Sequence, residues 1–166
     1  NNLFLTTATA TVFVGTLYPL LLEATTGTKI SVGAPFFNLT FGPLMIPLMI
    51  AVPFGPLLAW KRGDLMGATQ RLYAAIGISI LVGLVVMAFT TDEPVLAAAG
   101  MALGVFVILG ALTDLVHRSG IGRLPAATAW SRFKGLPRSA FGTAFAHAGL
   151  GITMIGVVAA SVYSTE

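Results

Sequence analysis

Residues 72–90 read LYAAIGISILVGLVVMAFT, and residues 94–116 read PVLAAAGMALGVFVILGALTDLV. Neither stretch alternates apolar and polar residues with a period of two, so both indicate helices and not strands of a membrane barrel. Each has about 20 residues, the length that a helix needs to cross the hydrocarbon core of a bilayer. The two stretches therefore predict neighbouring transmembrane helices that are joined by a short loop.

Three further apolar stretches of similar length lie at 3–24, 39–60 and 141–163. Of the 166 residues, 56% are hydrophobic and only 9% are charged, whereas a soluble domain has about 25% charged residues. The chain has no cysteine, which excludes a disulfide framework, a thiolate metal site and a catalytic thiol. We therefore predict an all-α, polytopic membrane protein with about five transmembrane helices in one helical region covering 1–166.

The basic residues predict the orientation of these helices. Lys29, Asp92 and Glu93 fall on one side of the five-helix topology, and all other Lys and Arg residues fall on the opposite side. Those others are Lys61, Arg62, Arg71, Arg118, Arg123, Arg132, Lys134 and Arg138. Because cytoplasmic loops are enriched in Lys and Arg, we expect the amino end to be cytoplasmic and the carboxyl end, 164–166, to be periplasmic.

Two segments are expected to be irregular. The second apolar stretch contains Pro43, Pro47, Pro53 and Pro56. Each proline removes a backbone donor, so we expect this helix to be kinked or broken, with a gate or cofactor channel as the functional alternative to a simple bend. The segment near 125–136 combines Trp130 and Phe133 with basic residues. It predicts a helix that lies flat at the membrane interface, with partner binding as the alternative.

Ionisable residues in or near the hydrocarbon need a partner or a function. We expect Glu23 to reach water or Lys29, and Asp114 to pair with Arg118 one helical turn later. His147 lies about six residues inside the fifth helix with apolar residues on both sides. Imidazole is a common metal ligand, and Thr143 and Gly151 lie on the same helical face. These small residues would let a flat macrocycle approach, and Thr143 could bond the ring; a buried histidine bonded to a neighbouring helix is the alternative.

Short motifs over nearly all of the chain point to a known family. In chain order they are Gly15-Thr16-Leu17-Tyr18-Pro19-Leu20, Glu23-Ala24, Thr26-Gly27, Lys29-Ile30-Ser31-Val32-Gly33, Pro35-Phe36-Phe37-Asn38, Pro43-Leu44, Gly55-Pro56-Leu57-Leu58, Trp60-Lys61-Arg62 and His147-Ala148-Gly149. Together they resemble the family of the cytochrome c-type biogenesis protein CcmF, and its paralogue NrfE shares much of the pattern.

The resemblance implies a haem lyase component of the cytochrome c maturation system in the bacterial inner membrane. Such a protein takes haem from the haem chaperone CcmE, works with CcmH and helps attach the haem vinyl groups to the thiols of apocytochrome c. The family also holds a haem b between two helix histidines, which is thought to help keep the transferred haem reduced. His147 matches the second of those ligands. The resemblance is densest in an expected periplasmic loop, Thr25 to Phe41, whose candidate residues are Lys29, Phe36, Phe37 and Asn38.

The chain also departs from the family pattern. Family members are several times longer, and the tryptophan-rich periplasmic motif with its flanking histidines is missing here. The chain begins Asn1-Asn2 without methionine or a signal region, so we expect it to be part of a longer polypeptide. We expect it not to be a lyase alone. A non-enzymatic membrane scaffold or transporter module is the alternative function, and the proline-rich second helix would suit a transporter.

Overall fold

The computed structural model describes residues 2–58, 63–91 and 94–163, apart from the side chains of Ala34, Asn38 and Tyr163. Within these ranges there are six α-helices, one 3₁₀ helix and no strand. They are α1 (Asn2–Thr26), α2 (Ala34–Ala51), the 3₁₀ helix (Val52–Leu57), α3 (Leu65–Phe89), α4 (Pro94–Ser119), α5 (Ala126–Lys134) and α6 (Arg138–Tyr163). Five segments are long and apolar enough to cross a membrane, which confirms the predicted all-α architecture.

Local capping explains where two helices begin. The Asp64 carboxylate accepts a hydrogen bond of 2.9 Å from the backbone N–H of Gly67, so α3 starts at Leu65 and not at the expected residue 72. Helix α2 starts at Ala34 and not at 39. Pro35 lies in its first turn, where no backbone donor is needed and the fixed φ of proline suits a helix.

The early start of α2 corrects the predicted outer loop, which was expected to reach Phe41. Only residues 27–33 connect α1 to α2. Phe36, Phe37 and Asn38 therefore belong to a helix, and Lys29 is the candidate that remains in the loop.

Residues 1–51 form the first of two compact units. In this unit α1 packs against α2 around Gly15. A methyl group on Gly15 would lie 2.8 Å from the Phe36 ring and 3.1 Å from the Phe37 ring, so the lack of a side chain lets the two helices come together. The two rings meet edge to face, with centroids 5.3 Å apart. Hydroxyl groups along α1 donate to carbonyl oxygens about one turn earlier in the same helix, as between Thr7 and Leu3 at 2.9 Å. These bonds satisfy polar groups in a segment suited to lipid.

The predicted interruption of the second apolar stretch is confirmed. Pro43 and Pro47 are accommodated inside α2, whereas Pro53 and Pro56 fall in the 3₁₀ helix that begins where the α-helix ends. Proline cannot donate an i→i−4 hydrogen bond, so the α-helical ladder gives way to 3₁₀ geometry over Val52–Leu57.

Residues 52–166 form the second compact unit, in which α4 lies between α3 and α6. Glycines in these helices permit close approach. A methyl group on Gly83 of α3 would lie 3.3 Å from the Ala98 carbonyl oxygen, and one on Gly110 would collide with the Pro53 ring of the 3₁₀ helix. The order of such contacts along α3, α4 and α6 shows that neighbouring helices run antiparallel. Phe106 of α4 completes a buried cluster with residues of α3 and the 3₁₀ helix.

The short helix α5 lies within the segment predicted to be interfacial. The rings of Trp130 and Phe133 stack with centroids 5.6 Å apart, and Phe133 meets Phe141 of α6 edge to face at 5.3 Å. The Lys134 ammonium lies 5.1 Å from the centre of the Trp130 ring. Amphipathic aromatic rings beside basic groups are typical of helices at a lipid headgroup layer.

Candidate functional site

His147 lies on α6 at the edge of the surface that packs against α4. On one side of it, Ala144 and Gly151 are buried. On its other side, Thr143 and Ala146 are exposed, and His147 itself is partly exposed. The imidazole therefore borders a part of α6 that no described helix of this unit covers.

Within the part of the chain that the structure describes, the Asp114 carboxylate of α4 acts on the His147 imidazole only through space. No hydrogen bond or ion pair of its imidazole is formed there, and the bond that Thr143 could make with it is not present. Unlike a packing histidine bonded to a neighbouring helix, this ring keeps both nitrogen atoms available. A partly exposed, unbonded imidazole next to the small side chains of Thr143 and Ala146 fits an axial ligand of a flat macrocycle.

Gly151 faces helix α4 and not an open surface where a haem could bind. A methyl group on Gly151 would lie 2.6 Å from the Gly104 carbonyl oxygen and 2.7 Å from the Ile108 side chain. Its small size thus serves the crossing of α4 and α6. Gly151 can support His147 by holding α6 against α4, one turn away from the imidazole.

The chain's other histidine is not brought to the same place. His117 lines a pocket together with Arg71 of α3 and Arg123. Among the described residues, no group of three or more His, Asp or Glu side chains could hold a metal ion. His147 and His117 therefore do not contribute to a shared metal site within the described residues.

The candidate residues near the amino end lie in two different elements, the loop between α1 and α2 and helix α2 itself. Lys29 forms the expected ion pair with Glu23, with Nζ and Oε1 3.3 Å apart, and both side chains are well exposed. Phe36 and Phe37 pack on Gly15 of α1. The side chain of Asn38 lies outside the described residues.

The second expected ion pair is also present. The Arg118 guanidinium Nε donates to both carboxylate oxygens of Asp114, at 2.8 and 2.9 Å. Asp114 is buried, with a side chain 5% exposed, whereas that of Arg118 is 42% exposed. Expectations for Trp60, Lys61, Arg62, Asp92, Glu93 and residues 164–166 fall outside the described residues.

The convergence of Arg71, His117 and Arg123 on one pocket was not predicted from the sequence. Arg71 and Arg123 were interpreted only as orientation signals for the helices. The residues are up to 52 positions apart along the chain, and no local spacing connects them.

The whole chain is similar to part of several cytochrome c-type biogenesis proteins. It is 65% identical to CycK of Rhizobium meliloti and 57% identical to CycK of Bradyrhizobium diazoefficiens, each over 166 residues. It is 35% identical to CcmF of Pseudomonas aeruginosa over 169 aligned residues, and NrfE of Haemophilus influenzae also matches. The CycK and CcmF matches cover all of this chain. The chain itself spans about a quarter of the length of those relatives.

No family model and no solved structure matches the chain. The resemblance to cytochrome c-type biogenesis proteins, which the sequence motifs predicted, is nevertheless confirmed over its whole length. The five apolar helices of the described residues indicate a multi-pass membrane protein, and the relatives that this chain matches are named for cytochrome c-type biogenesis.

Proposed function

We propose that this chain, which is homologous over its whole length to a quarter of the cytochrome c-type biogenesis proteins CycK and CcmF, belongs to the membrane region of a haem lyase. The substrate haem comes from the chaperone CcmE, and the acceptor is an apocytochrome c presented with the help of CcmH. In the reaction, each cysteine S–H adds across one haem vinyl double bond, so the thioether forms without a leaving group.

The observation that carries the proposal is the partly exposed imidazole of His147 in this homologous chain, which makes no hydrogen bond within the described residues. His147 would hold a resident haem b through one imidazole nitrogen, with the second ligand supplied from outside this chain. Such a haem, when bound, would supply electron-transfer chemistry that helps keep the substrate haem iron reduced. An apolar helix is a costly place for an unpaired polar group, at about 1–3 kcal/mol, and ligation would remove that cost.

The proposed orientation places the beginning of α3 and the end of α4 at the cytoplasmic face of the bacterial inner membrane. Arg71 near the start of α3 lies with His117 and Arg123, at and after the end of α4, around one pocket. The antiparallel packing of these helices thus gathers basic groups at one end, which supports a cytoplasmic location for that end.

The test is the absorption spectrum of the full-length protein that contains this chain, with His147→Ala compared with the unaltered protein. We expect the variant to lose the reduced haem b bands and to lower the yield of mature cytochrome c. His117→Ala is the matched control, because it removes the chain's other imidazole and should keep the haem. An unchanged haem content in His147→Ala would refute the ligand assignment. Unchanged haem content and cytochrome c yield together would favour a non-enzymatic scaffold or a transporter module.

A further inference from the structure

A groove between α3 and α4 has a basic end and an apolar arm. The basic end is a pocket of about 100 Å³ that includes Arg71, His117 and Arg123. The apolar arm is a pocket of about 270 Å³. Both are lined by Arg71, Thr113 and Val116, so the two pockets adjoin and form one elongated site.

The basic end has an excess of positive charge. Arg118 is neutralised by the buried carboxylate of Asp114. The ion pairs of the described residues include neither Arg71 nor Arg123, and both of these side chains are exposed. Two unpaired guanidinium groups in one small pocket suit an anion with several oxygen atoms, because each guanidinium can donate two parallel hydrogen bonds to a phosphate.

The other arm of the groove continues along the apolar part of the two helices. Its walls come from Ala75 and Ile78 of α3 and from Leu109 and Leu112 of α4. These residues lie about two to four turns inside segments that are apolar enough to cross a membrane. A free phosphate would leave this arm empty, whereas a ligand with a hydrocarbon tail would fill it.

We propose that the groove binds an anionic phospholipid, with its phosphate between Arg71 and Arg123 and one acyl chain along Ile78, Leu109 and Leu112. Basic pockets at the ends of transmembrane helices are suited to acidic headgroups. The positive charge of the basic end matches the phosphate of this ligand, and the walls of the apolar arm match its acyl chain. The site is separate from His147, which lies on the α6 side of α4.

The test uses the purified full-length protein, native mass spectrometry and two added lipids with the same acyl chains. The lipids are phosphatidylglycerol, which is anionic, and phosphatidylcholine, which has no net charge. We expect the unaltered protein to retain phosphatidylglycerol preferentially. The double variant Arg71→Gln, Arg123→Gln should weaken that retention by about 25-fold, since each basic residue near an anionic lipid contributes roughly fivefold.

Two further variants separate the groove from general surface charge. Arg132→Gln with Arg138→Gln removes two basic residues from α5 and α6, neither of which lines the groove, and should retain the lipid. Ala74→Trp should fill the apolar arm and reduce retention, and Ala74 is exposed enough to accept a larger side chain. The melting temperature of each variant verifies folding. Equal retention of both lipids, equal loss in the two double variants, or full retention in Ala74→Trp would overturn the proposal.

Discussion

Gly104 of α4 and Gly151 of α6 approach each other so closely that neither has room for a side chain. A methyl group on Gly104 would lie 2.9 Å from the Gly151 carbonyl oxygen, and one on Gly151 would lie 2.6 Å from the Gly104 carbonyl oxygen. Small residues at such crossings let two helix backbones pack directly in lipid. Because His147 is one turn from Gly151, this crossing also determines how the candidate haem ligand is presented.

Replacing Gly151 by alanine should therefore separate α4 from α6. We expect a loss of about 1–3 kcal/mol of stability, the usual cost of inserting a group into a packed interface. Thermal unfolding of the full-length protein in detergent measures this loss. Gly156→Ala on the same helix is the matched control, because a methyl group there would meet nothing within 4 Å. Equal melting temperatures for the two variants would contradict the tight crossing.

The ion pair of α4 gives a second prediction. Arg118→Ala leaves the buried Asp114 carboxylate without its partner, which should cost about 1–3 kcal/mol. Removing both groups, as in Asp114→Ala with Arg118→Ala, should be less costly than Arg118→Ala alone, because no uncompensated buried charge remains. Denaturant unfolding measures both variants. Arg132→Ala, an exposed arginine of α5, should be nearly neutral; a similar loss there would argue against the ion pair.

Phe36 and Phe37 give a third prediction. Their rings occupy the space beside Gly15 of α1. Changing both to alanine should open a cavity and destabilise the pairing of α1 with α2 by about 3 kcal/mol or more. The measurements are the melting temperature and the yield of mature cytochrome c.

Gly15→Leu in the same double variant should partly refill the cavity and restore both measurements if the phenylalanines act by packing. Restored stability without a restored cytochrome c yield would instead support a direct role of these rings in haem handling. An unchanged melting temperature in the double alanine variant would contradict the packing contact.

Topology gives a fourth prediction. This chain has no cysteine, so a single added cysteine would be its only thiol. Cysteines at Ser31 and Ser131, both of which are exposed, should react with an impermeant reagent from opposite sides of the membrane. Ser119 is unsuitable because it is fully buried. Labelling of both positions from the same side would refute the proposed arrangement of five crossings.

The membrane architecture was largely predictable from local sequence. Uninterrupted apolar stretches of about 20 residues must become helices in lipid, because no other single segment satisfies its own backbone there. The pair of Asp114 and Arg118 was predictable for the same local reason, since one helical turn brings residues at i and i+4 together. His147 was identified as a candidate site residue from the sequence because an imidazole among apolar residues needs a partner or a function.

The contacts between different helices were decided only by the tertiary structure. Nothing near Gly151 in the sequence indicates Gly104, and nothing near Phe36 indicates Gly15, because these contacts form between different helices. Arg71 and Arg123 likewise meet only through the antiparallel packing of α3 against α4. Lipid and backbone hydrogen bonding act on consecutive residues and so determine the helices from sequence, whereas close packing selects partners that are distant along the chain.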